Sequence, residues 1–372
     1  MKICLLARGS YAPVRMRARV MASKGHEVHV ISLHGGTSEN FKVHGVHVWS
    51  RLASAARYAA AIPQVWRLLS EIQPDVVDVH GVSSYGMFAL LPHGHPVIAT
   101  SYGTDIYGSI AKSIGPRMIA RAVLARANVV YSSTPFIEEY ARNRLGVDIG
   151  KKLVTRSWGV PTREILRDAG SRRRQIRAEF GVADDARVIL HSRHIAELWR
   201  PEVLLEAFKQ LRHAHPETVL WYAYPRPTPA GQELLARMMK RCVELGVGQS
   251  VRFLGPQSYE RIISIMHAAD VYVCIGRDDL LAASVLEAMV TGLVPVLADL
   301  PPYREVIESG ENGILLERIT AKSVERAIGA VLDDFETTRS RVAEVNIPLI
   351  QSRYDVEANT DWMLARYREL VR

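Results

Sequence analysis

The chain has 372 residues, which is too long for one ordinary hydrophobic core and suits two domains. Hydrophobic residues make up 48% of the chain and charged residues 23%, and this composition excludes a disordered protein. No apolar run reaches the ~20 residues of a membrane-spanning helix, and the first apolar stretch breaks at Arg8-Gly9-Ser10, too early for a signal peptide. The three cysteines lack disulfide or metal-ligand spacing, so we expect free thiols in a cytoplasmic protein.

Basic charge is concentrated in the first part of the chain. Residues 1–160 carry 19 Lys and Arg against 9 Asp and Glu, whereas the remainder carries 28 against 30. This imbalance suggests an anionic partner for the first half. A membrane surface or a lipid phosphate fits better than nucleic acid, because the arginines are scattered and no nucleic-acid-binding module is recognisable. A merely solvated basic face explains the charge nearly as well.

The first half shows an alternation of strand and helix patterns that is typical of a parallel sheet with crossover helices. Helices are predicted at Val14–Lys24, ended by Gly25, and at Ile62–Ile72, before Pro74. The predicted strands are Met1–Ala7, His26–Ser32, Val76–His80, Val97–Thr100 and Asn128–Ser132.

A second series of the same kind starts near Val188, so the sequence predicts two Rossmann-like, doubly wound α/β domains facing a cleft. The expected domains are 1–165 and 166–350, followed by a helix in 351–372 that packs back on the first domain. Helices are predicted at Pro201–Arg212, Glu233–Leu245 and Asp355–Leu370. The predicted strands are Arg187–His191, Val219–Ala223, Val251–Leu254, Val271–Cys274 and Pro295–Leu297.

Two arginines follow the first strand of the second series, where ligands of such sheets bind. Arg193 comes just after the strand, and Arg200 precedes Pro201, which suits the first position of a helix. Two guanidinium groups beside a helix N-terminus can hold a diphosphate without a metal ion. Taken alone, however, the two residues are more simply explained as surface arginines.

A second candidate segment follows the strand that ends at Cys274. A helix beginning near Ser284 and ending at Gly292 could hold a phosphate at its first turn. Glu287 could then accept hydrogen bonds from a ribose diol, and Asp279 could reach a sugar hydroxyl. The alternative is a capping box, in which Glu287 only satisfies the backbone of Ser284.

Signals in the first domain are weaker. Gly9 ends the first strand and lets a backbone approach a ligand closely, but no complete Gly-x-Gly-x-x-Gly motif is present. Tyr102 follows another strand and is expected to point into the cleft. Asp105 is as easily explained as a helix cap.

Several short motifs follow one another along the chain. They are Lys24-Gly-His-Glu-Val-His-Val30, Pro74-Asp-Val-Val-Asp-Val-His80, Tyr102-Gly-Thr-Asp-Ile106, Phe253-Leu-Gly255, Ala269-Asp-Val271, Leu286-Glu-Ala-Met289 and Gly310-Glu-Asn-Gly313. As an ordered set they resemble the motifs of the retaining GT-B glycosyltransferases of family four, over nearly the whole chain. The chain departs from that family's pattern at Gly9, which keeps one of two glycines, and at five further positions: Asp279 for glutamate, Arg200 for lysine, Ser192 and Pro201 for glycine, and Tyr102 for histidine.

The resemblance implies a role for each matching residue. Arg193 and Arg200 would contact the donor diphosphate, Glu287 would hold the nucleotide ribose, and Asp279 would contact the donor sugar. The backbone of Ala282, Ala283 and Ser284 would contact the sugar and the phosphate. Phe253 and Leu254 would flank the base. Gly9 and Tyr102 would complete the donor site from the first domain, and Asp279, Arg193 and Arg200 would be the catalytic groups.

The resulting hypothesis is a retaining, metal-independent glycosyltransferase. It would use a UDP- or GDP-sugar, no cofactor and a glycan, lipid-linked or small-molecule acceptor, without nucleic acid. The rivals are a non-catalytic nucleotide-sugar-binding homologue, a sugar epimerase on the same scaffold, and a glycoside hydrolase with Asp279 and Glu287 as its carboxylate pair.

Basic and apolar residues alternate at helical spacing in the region from Ile110 to Leu124. This pattern suits an anionic bilayer surface, so we expect docking to the inner face of the membrane. The alternative is that the segment packs into the core and its charges are only solvated.

Overall fold

The chain divides into two compact units. The computed structural model describes residues 1–48, 54–102, 114–167 and 169–371. The first unit comprises Met1–Trp158 and Val356–Arg372, and the second comprises Gly159–Asp355. Residues 159–165, which the sequence assigned to the first domain, fall in the second unit, where Thr162 Oγ1 donates to Asp355 Oδ2 at 2.6 Å.

The first unit is built on a seven-stranded parallel sheet in the order β3-β2-β1-β4-β5-β6-β7. Side chains of β1 alternate between two cores, as expected for a sheet covered on both faces. The strands are β1 (Lys2–Leu6), β2 (Glu27–Ser32), β3 (Lys42–Gly45), β4 (Val76–His80), β5 (Val97–Thr100), β6 (Val129–Ser132) and β7 (Leu153–Thr155). The helices and helical turns are Ala12–Ser23, Ser54–Ile72, Tyr85–Leu90, Ile114–Arg126, Phe136–Tyr140 and Ala141–Leu145.

The second unit contains a six-stranded parallel sheet in the order β10-β9-β8-β11-β12-β13. The strands are β8 (Val188–His191), β9 (Val219–Ala223), β10 (Val251–Gly255), β11 (Val271–Cys274), β12 (Val294–Ala298) and β13 (Ile314–Leu316). The helices and helical turns are Thr162–Leu166, Ala169–Glu179, Glu197–Trp199, Pro201–Leu211, Pro229–Glu244, Gly248–Ser250, Tyr259–Ala268, Ala283–Val290, Ala321–Asp333 and Phe335–Arg353.

The predicted strands are all present, but three short strands, several helices and the start of one helix were not predicted. The unpredicted helices include Tyr259–Ala268, Ala321–Asp333 and Phe335–Arg353. The strands β3, β7 and β13 lie at sheet edges, and none of their residues is fully buried. These strands have only three or four residues each, which is too short for a recognisable hydrophobic pattern. The helix predicted at Ile62–Ile72 begins at Ser54, because its alanine-rich first half favours helix without an apolar period.

The final helix, Val356–Val371, belongs to the first unit, as its amphipathic sequence predicted. Leu364 and Tyr367 are buried in a core that they share with β1. The Tyr367 hydroxyl donates to the carboxylate of Asp78 in β4, which also accepts from Thr100 Oγ1 at 2.6 Å. A buried carboxylate with two hydroxyl donors is satisfied without water, so the helix also completes a polar network.

Both sheets reverse their strand order at a defined place, and this is where ligands of doubly wound sheets bind. The order changes direction between β1 and β4 in the first unit, and between β8 and β11 in the second. Within the described ranges, no helix combines the length and apolar character needed to cross a membrane. The three cysteines are free thiols, as predicted.

We expect Tyr367→Phe to loosen the final helix. The change removes one hydrogen bond to a buried carboxylate and keeps the ring, so the free energy of opening this helix should fall by about 1.5–3 kcal/mol. Native-state hydrogen exchange of the amides in Val356–Val371 measures this change directly.

Asp361→Asn is the matched control on the same helix. Asp361 Oδ2 lies 2.7 Å from Lys24 Nζ, but its side chain is 59% exposed. An exposed ion pair contributes at most about 1 kcal/mol. If both substitutions change hydrogen exchange equally, Tyr367 does not anchor the helix through Asp78.

Candidate functional site

Two oppositely charged side chains meet at the switch point of the second sheet. Arg193 follows β8 and Asp279 follows β11, and Nη2 of Arg193 lies 3.0 Å from Oδ2 of Asp279. Their side chains are only 17% and 11% exposed. Burial raises the pKa of the Asp279 carboxyl, whereas Arg193 and a hydrogen bond from Tyr303 act to lower it. The charge of the carboxylate therefore depends on these two neighbours.

The indole of Trp199 supports Arg193. The guanidinium carbon lies 3.9 Å from the ring centre, in the geometry of a cation–π contact. Gly276 leaves room for the indole, because a Cβ at this position would lie 2.6 Å from a ring carbon. The Arg277 N–H donates to the Leu198 carbonyl at 2.9 Å, which ties the turn carrying Trp199 to the loop after β11.

The helix Ala283–Val290 begins beside this ion pair. Nη1 of Arg193 donates to Ser284 Oγ at 3.0 Å. The cap is Ala282, and Ser284 is the second helical residue, so the capping-box explanation of Glu287 is wrong. The N–H groups of Ala283 and Ser284 have no partner within the helix, at the end where the helix dipole favours an anion.

Arg200 precedes the helix that starts at Pro201, as predicted. Its backbone is left-handed, with φ of 50°, and its Nη1 lies 3.5 Å from the carbonyl oxygen of Ile275, just after β11. Burial lowers the pKa of Arg200, and the like charge of Arg277 lowers it further. Two cations that repel each other at the end of a strand favour a multivalent anion.

Glu287 lies on the inner side of the helix Ala283–Val290 and is 7% exposed. Burial raises the pKa of its carboxyl to about 7, although the Tyr259 hydroxyl and the charge of Arg193 act in the opposite direction. A buried carboxyl that titrates near neutral pH is more frequent at functional sites than elsewhere. The contact between Glu287 and a ribose stays a prediction.

Several site residues were missed by sequence reasoning. Tyr303 is fully buried after β12, and its hydroxyl donates to Asp279. Cys274 ends β11 with its sulfur 3.4 Å from the Tyr303 oxygen. Trp199 could have been suspected from its position directly before Arg200, but no spacing signal marks Tyr303.

Phe253 and Leu254 lie on β10, two strands away from β8 in the sheet. The Phe253 ring stacks on Tyr222 with centroids 5.2 Å apart and an angle of 10° between the rings. Both residues are half-buried. Their contact with a base stays a prediction.

Two residues of the predicted donor site belong to the first unit. A Cβ on Gly9 would lie 2.6 Å from the Gly35 carbonyl oxygen, so the protein's own backbone already requires glycine here. The Tyr102 hydroxyl lies 2.8 Å from Nδ1 of His80, and its ring stacks on Trp158 with centroids 5.0 Å apart. Asp105 lies outside the described residues.

Two of the sequence landmarks have structural roles. Asp270 is buried between Arg173 Nη2 at 2.8 Å and the N–H of Val188 at 2.8 Å, so it holds a helix to the start of β8. Asn312 donates to the Asn346 side chain at 2.8 Å and shapes the turn before β13. These residues explain part of the motif pattern without any ligand. Among the described residues, no group of three or more His, Cys, Asp or Glu side chains is placed to hold a metal ion.

Two family profiles match the chain. The profile "Glycosyl transferases group 1" matches residues 172–345, which include the site described above. The profile "Glycosyl transferase 4-like" matches residues 2–134. Together they span most of both units.

Two curated relatives illustrate the similarity. The D-inositol 3-phosphate glycosyltransferase of Nocardia farcinica is 25% identical over 232 residues, which are 62% of this chain and 49% of that protein. The chain therefore spans about half the length of this relative. The GDP-mannose:cellobiosyl-diphosphopolyprenol alpha-mannosyltransferase of Xanthomonas oryzae pv. oryzae is 24% identical over 326 residues, 80% of this chain and 77% of that protein.

Two solved structures share the fold. Sucrose-phosphate synthase of Thermosynechococcus elongatus has a TM-score of 0.81 at 16% identity, covering 100% of this chain and 99% of that chain. HepE of Anabaena, solved in complex with UDP and glucose, has a TM-score of 0.79 at 16% identity, covering 99% of each chain.

We expect Glu287 to make the stability of the protein fall as pH rises. An ordinary glutamate titrates near 4.5 and Glu287 near 7, so between these values the folded protein holds a proton that the unfolded chain has lost. The free energy of unfolding of wild type relative to Glu287→Gln should therefore fall by roughly 2–4 kcal/mol between about pH 4 and 8. Denaturant unfolding at a series of pH values measures this difference.

Glu311→Gln is the control, because Glu311 is an exposed glutamate of the same unit. Its stability curve should run parallel to that of wild type. A Glu287→Gln curve that also stays parallel to wild type at every pH would contradict a buried, neutral Glu287.

Proposed function

The chain belongs to the group 1 glycosyltransferases and has the GT-B fold, and we propose that it is a retaining enzyme acting on a UDP- or GDP-sugar. The acceptor is a glycan, a lipid-linked sugar or a small molecule. The reaction belongs to the synthesis of a cell-surface polysaccharide or glycoconjugate, on the cytoplasmic side of the membrane.

The observation that carries the proposal is the cluster at the ends of β8 and β11. Arg193 is held by Asp279 and Ser284 at the first turn of the helix Ala283–Val290. Cationic groups and free backbone N–H groups at one place suit a diphosphate, and a nearby carboxylate suits the hydroxyl of a sugar. A nucleotide-sugar carries both of these groups on adjacent atoms.

The proposal assigns contacts to the nucleotide part of the donor as well. Arg193 and Arg200 hold the diphosphate, together with the backbone of Ala282, Ala283 and Ser284. Glu287 accepts from the ribose hydroxyls, and Phe253 with Leu254 flanks the base. The names of two similar proteins include GDP-mannose and UDP, which supports a donor of this class.

The proposed reaction is transfer with retention, assisted by stabilisation of charge on the leaving group. The bond between the anomeric carbon and the diphosphate breaks, and a bond from the acceptor oxygen forms on the same face. The acceptor proton passes to a diphosphate oxygen. Arg193, Arg200 and the helix N-terminus stabilise the growing negative charge, as preorganised donors do in other enzymes. In this proposal these groups, rather than a divalent cation, neutralise the diphosphate.

In this proposal the first unit supplies the acceptor site. The helix Ile114–Arg126 buries Ala120 and Val123 in the core, but Ile114 and Met118 are 77% and 66% exposed. Arg117 and Arg121 are exposed on the same helix. Exposed apolar side chains between arginines support docking to an anionic lipid surface. Residues 110–113 lie outside the described residues.

The proposal is tested by incubating the chain with radiolabelled UDP- and GDP-sugars, with and without lipid-linked acceptors, in EDTA. We expect transfer to an acceptor with the donor's anomeric configuration retained. Release of free sugar would indicate a hydrolase, and a changed sugar on the nucleotide would indicate an epimerase. Donor binding without any turnover would indicate a non-catalytic homologue, and a strict metal requirement would contradict the assigned leaving-group chemistry.

Arg200→Gln tests the proposed diphosphate contact of one residue by ligand binding. Loss of a charge-assisted contact should weaken binding of the nucleoside diphosphate at least about tenfold and leave binding of the nucleoside unchanged. Arg237→Gln, at a side chain that is 55% exposed, should change neither affinity. Equal losses for diphosphate and nucleoside in Arg200→Gln would remove its phosphate role.

Membrane docking is tested by liposome flotation of the full chain. We expect flotation with anionic vesicles at low salt and release at high salt, because each basic residue near such a surface contributes about 1 kcal/mol that salt screens. Met118→Ser should weaken flotation, whereas Met239→Ser, at a residue 47% exposed in the second unit, should not. Indifference to anionic vesicles at every salt concentration would contradict docking and leave the transfer reaction untouched.

A further inference from the structure

Tyr303 lies at the centre of the charged cluster, although no sequence motif marks it. It is fully buried in the turn that follows β12, where its N–H donates to the Leu300 carbonyl at 2.9 Å. A buried tyrosine hydroxyl needs a hydrogen-bond partner, and this one donates to Oδ2 of Asp279. The sulfur of Cys274 lies 3.4 Å from the same hydroxyl, so both neighbours of the Tyr303 hydroxyl named here are side chains of this unit.

Two donors converge on one oxygen of Asp279. Arg193 Nη2 approaches Oδ2 at 3.0 Å, and the Tyr303 hydroxyl donates to that same oxygen. Together they fix the plane of the carboxylate, because rotation about the Cβ–Cγ bond would break both contacts. The carboxylate also accepts a backbone hydrogen bond from Leu280. A carboxylate has about four acceptor positions, and no side chain among the described residues donates to Oδ1, so this oxygen can accept from a ligand hydroxyl.

We propose that Tyr303 is a positioning residue that holds Asp279 ready to accept a hydrogen bond from a hydroxyl of the donor sugar. This inference rests on the proposed function and assigns sugar recognition to the pair. A carboxylate that is already held in one orientation loses less conformational freedom when it binds a hydroxyl. Tyr303 contacts neither Arg200 nor Ser284 among the described residues. It is connected to Arg193 through Asp279, whose Oδ2 both side chains contact.

Tyr303→Phe tests the assignment because it removes one oxygen atom and keeps the ring. Titration calorimetry of the full chain would compare the nucleotide-sugar with its nucleoside diphosphate. We expect the sugar-nucleotide to bind about tenfold more weakly and the diphosphate to bind within about twofold of wild type. An equal loss for both ligands would overturn the inference, since it would indicate a general disturbance of the site.

A double-mutant cycle with Asp279→Asn tests whether Tyr303 acts through Asp279. In the Asp279→Asn background, Tyr303→Phe should change sugar-nucleotide affinity by less than about twofold, because the carboxylate that it positions is gone. A full effect in both backgrounds would overturn the inference. Tyr354→Phe, at another buried tyrosine of the same unit, should leave the preference for sugar-nucleotide over diphosphate unchanged.

The pH dependence of sugar-nucleotide affinity gives a second test. A tyrosine with a purely structural role would leave this dependence unchanged. Asp279 faces Arg193, Tyr303, Cys274 and Asp278, and the Tyr303 hydrogen bond acts to lower its pKa. Loss of this bond in Tyr303→Phe should shift the acid limb of sugar-nucleotide affinity to higher pH. An unmoved limb would overturn the positioning role.

Failure of the proposed function and failure of the Tyr303 inference give different binding results. A wild-type chain that binds neither UDP- nor GDP-sugars overturns the proposed function and the sugar-recognition role together. If wild type binds the nucleotide-sugar but Tyr303→Phe binds it with the same affinity, the inference alone is overturned.

If Tyr303→Phe does not fold, carbon-13 NMR titration of the Asp279 carboxyl in wild type and in Cys274→Ala provides a second test. Removing the sulfur next to the tyrosine hydroxyl should shift this titration, and identical curves would contradict a role for the Cys274–Tyr303–Asp279 chain.

Discussion

The ion pair between Arg193 and Asp279 joins the ends of two strands that the fold brings together. β8 and β11 are neighbours at the point where the strand order of the second sheet reverses, so the residues that follow them emerge side by side. Both side chains are largely buried, and each needs the other because an isolated buried charge is costly. Trp199, Ser284 and Tyr303 then pack around the pair, each through a specific contact.

This arrangement has a consequence for ligand binding. The cation that would meet a diphosphate is already engaged with a carboxylate, and the neighbouring Arg200 and Arg277 repel each other. We expect an entering anion to relieve that repulsion and to compete with Asp279 for Arg193. Binding of the two parts of a nucleotide-sugar would then be linked through one guanidinium.

Sequence patterns predicted the two doubly wound sheets, the returning final helix and the positions of Arg193 and Arg200 after β8, because strand and helix periods are local signals. Edge strands β3, β7 and β13 were missed, since their side chains are only partly buried. Tyr303 could not be found from spacing, because only the tertiary fold brings the turn after β12 to Asp279. The capping-box alternative was wrong because the cap of the helix is Ala282, two residues earlier than the Ser284 cap that this alternative requires.

The central claim is that the cluster at the ends of β8 and β11 is the donor diphosphate site. The most direct test is a crystal structure of the chain with bound UDP or GDP. The account predicts phosphate oxygens within about 3.2 Å of the Arg193 guanidinium and of the first N–H groups of the helix Ala283–Val290. It also predicts that the Arg193–Asp279 contact, 3.0 Å here, lengthens or is lost. A nucleotide bound elsewhere on the chain, with this contact unchanged, would contradict the account.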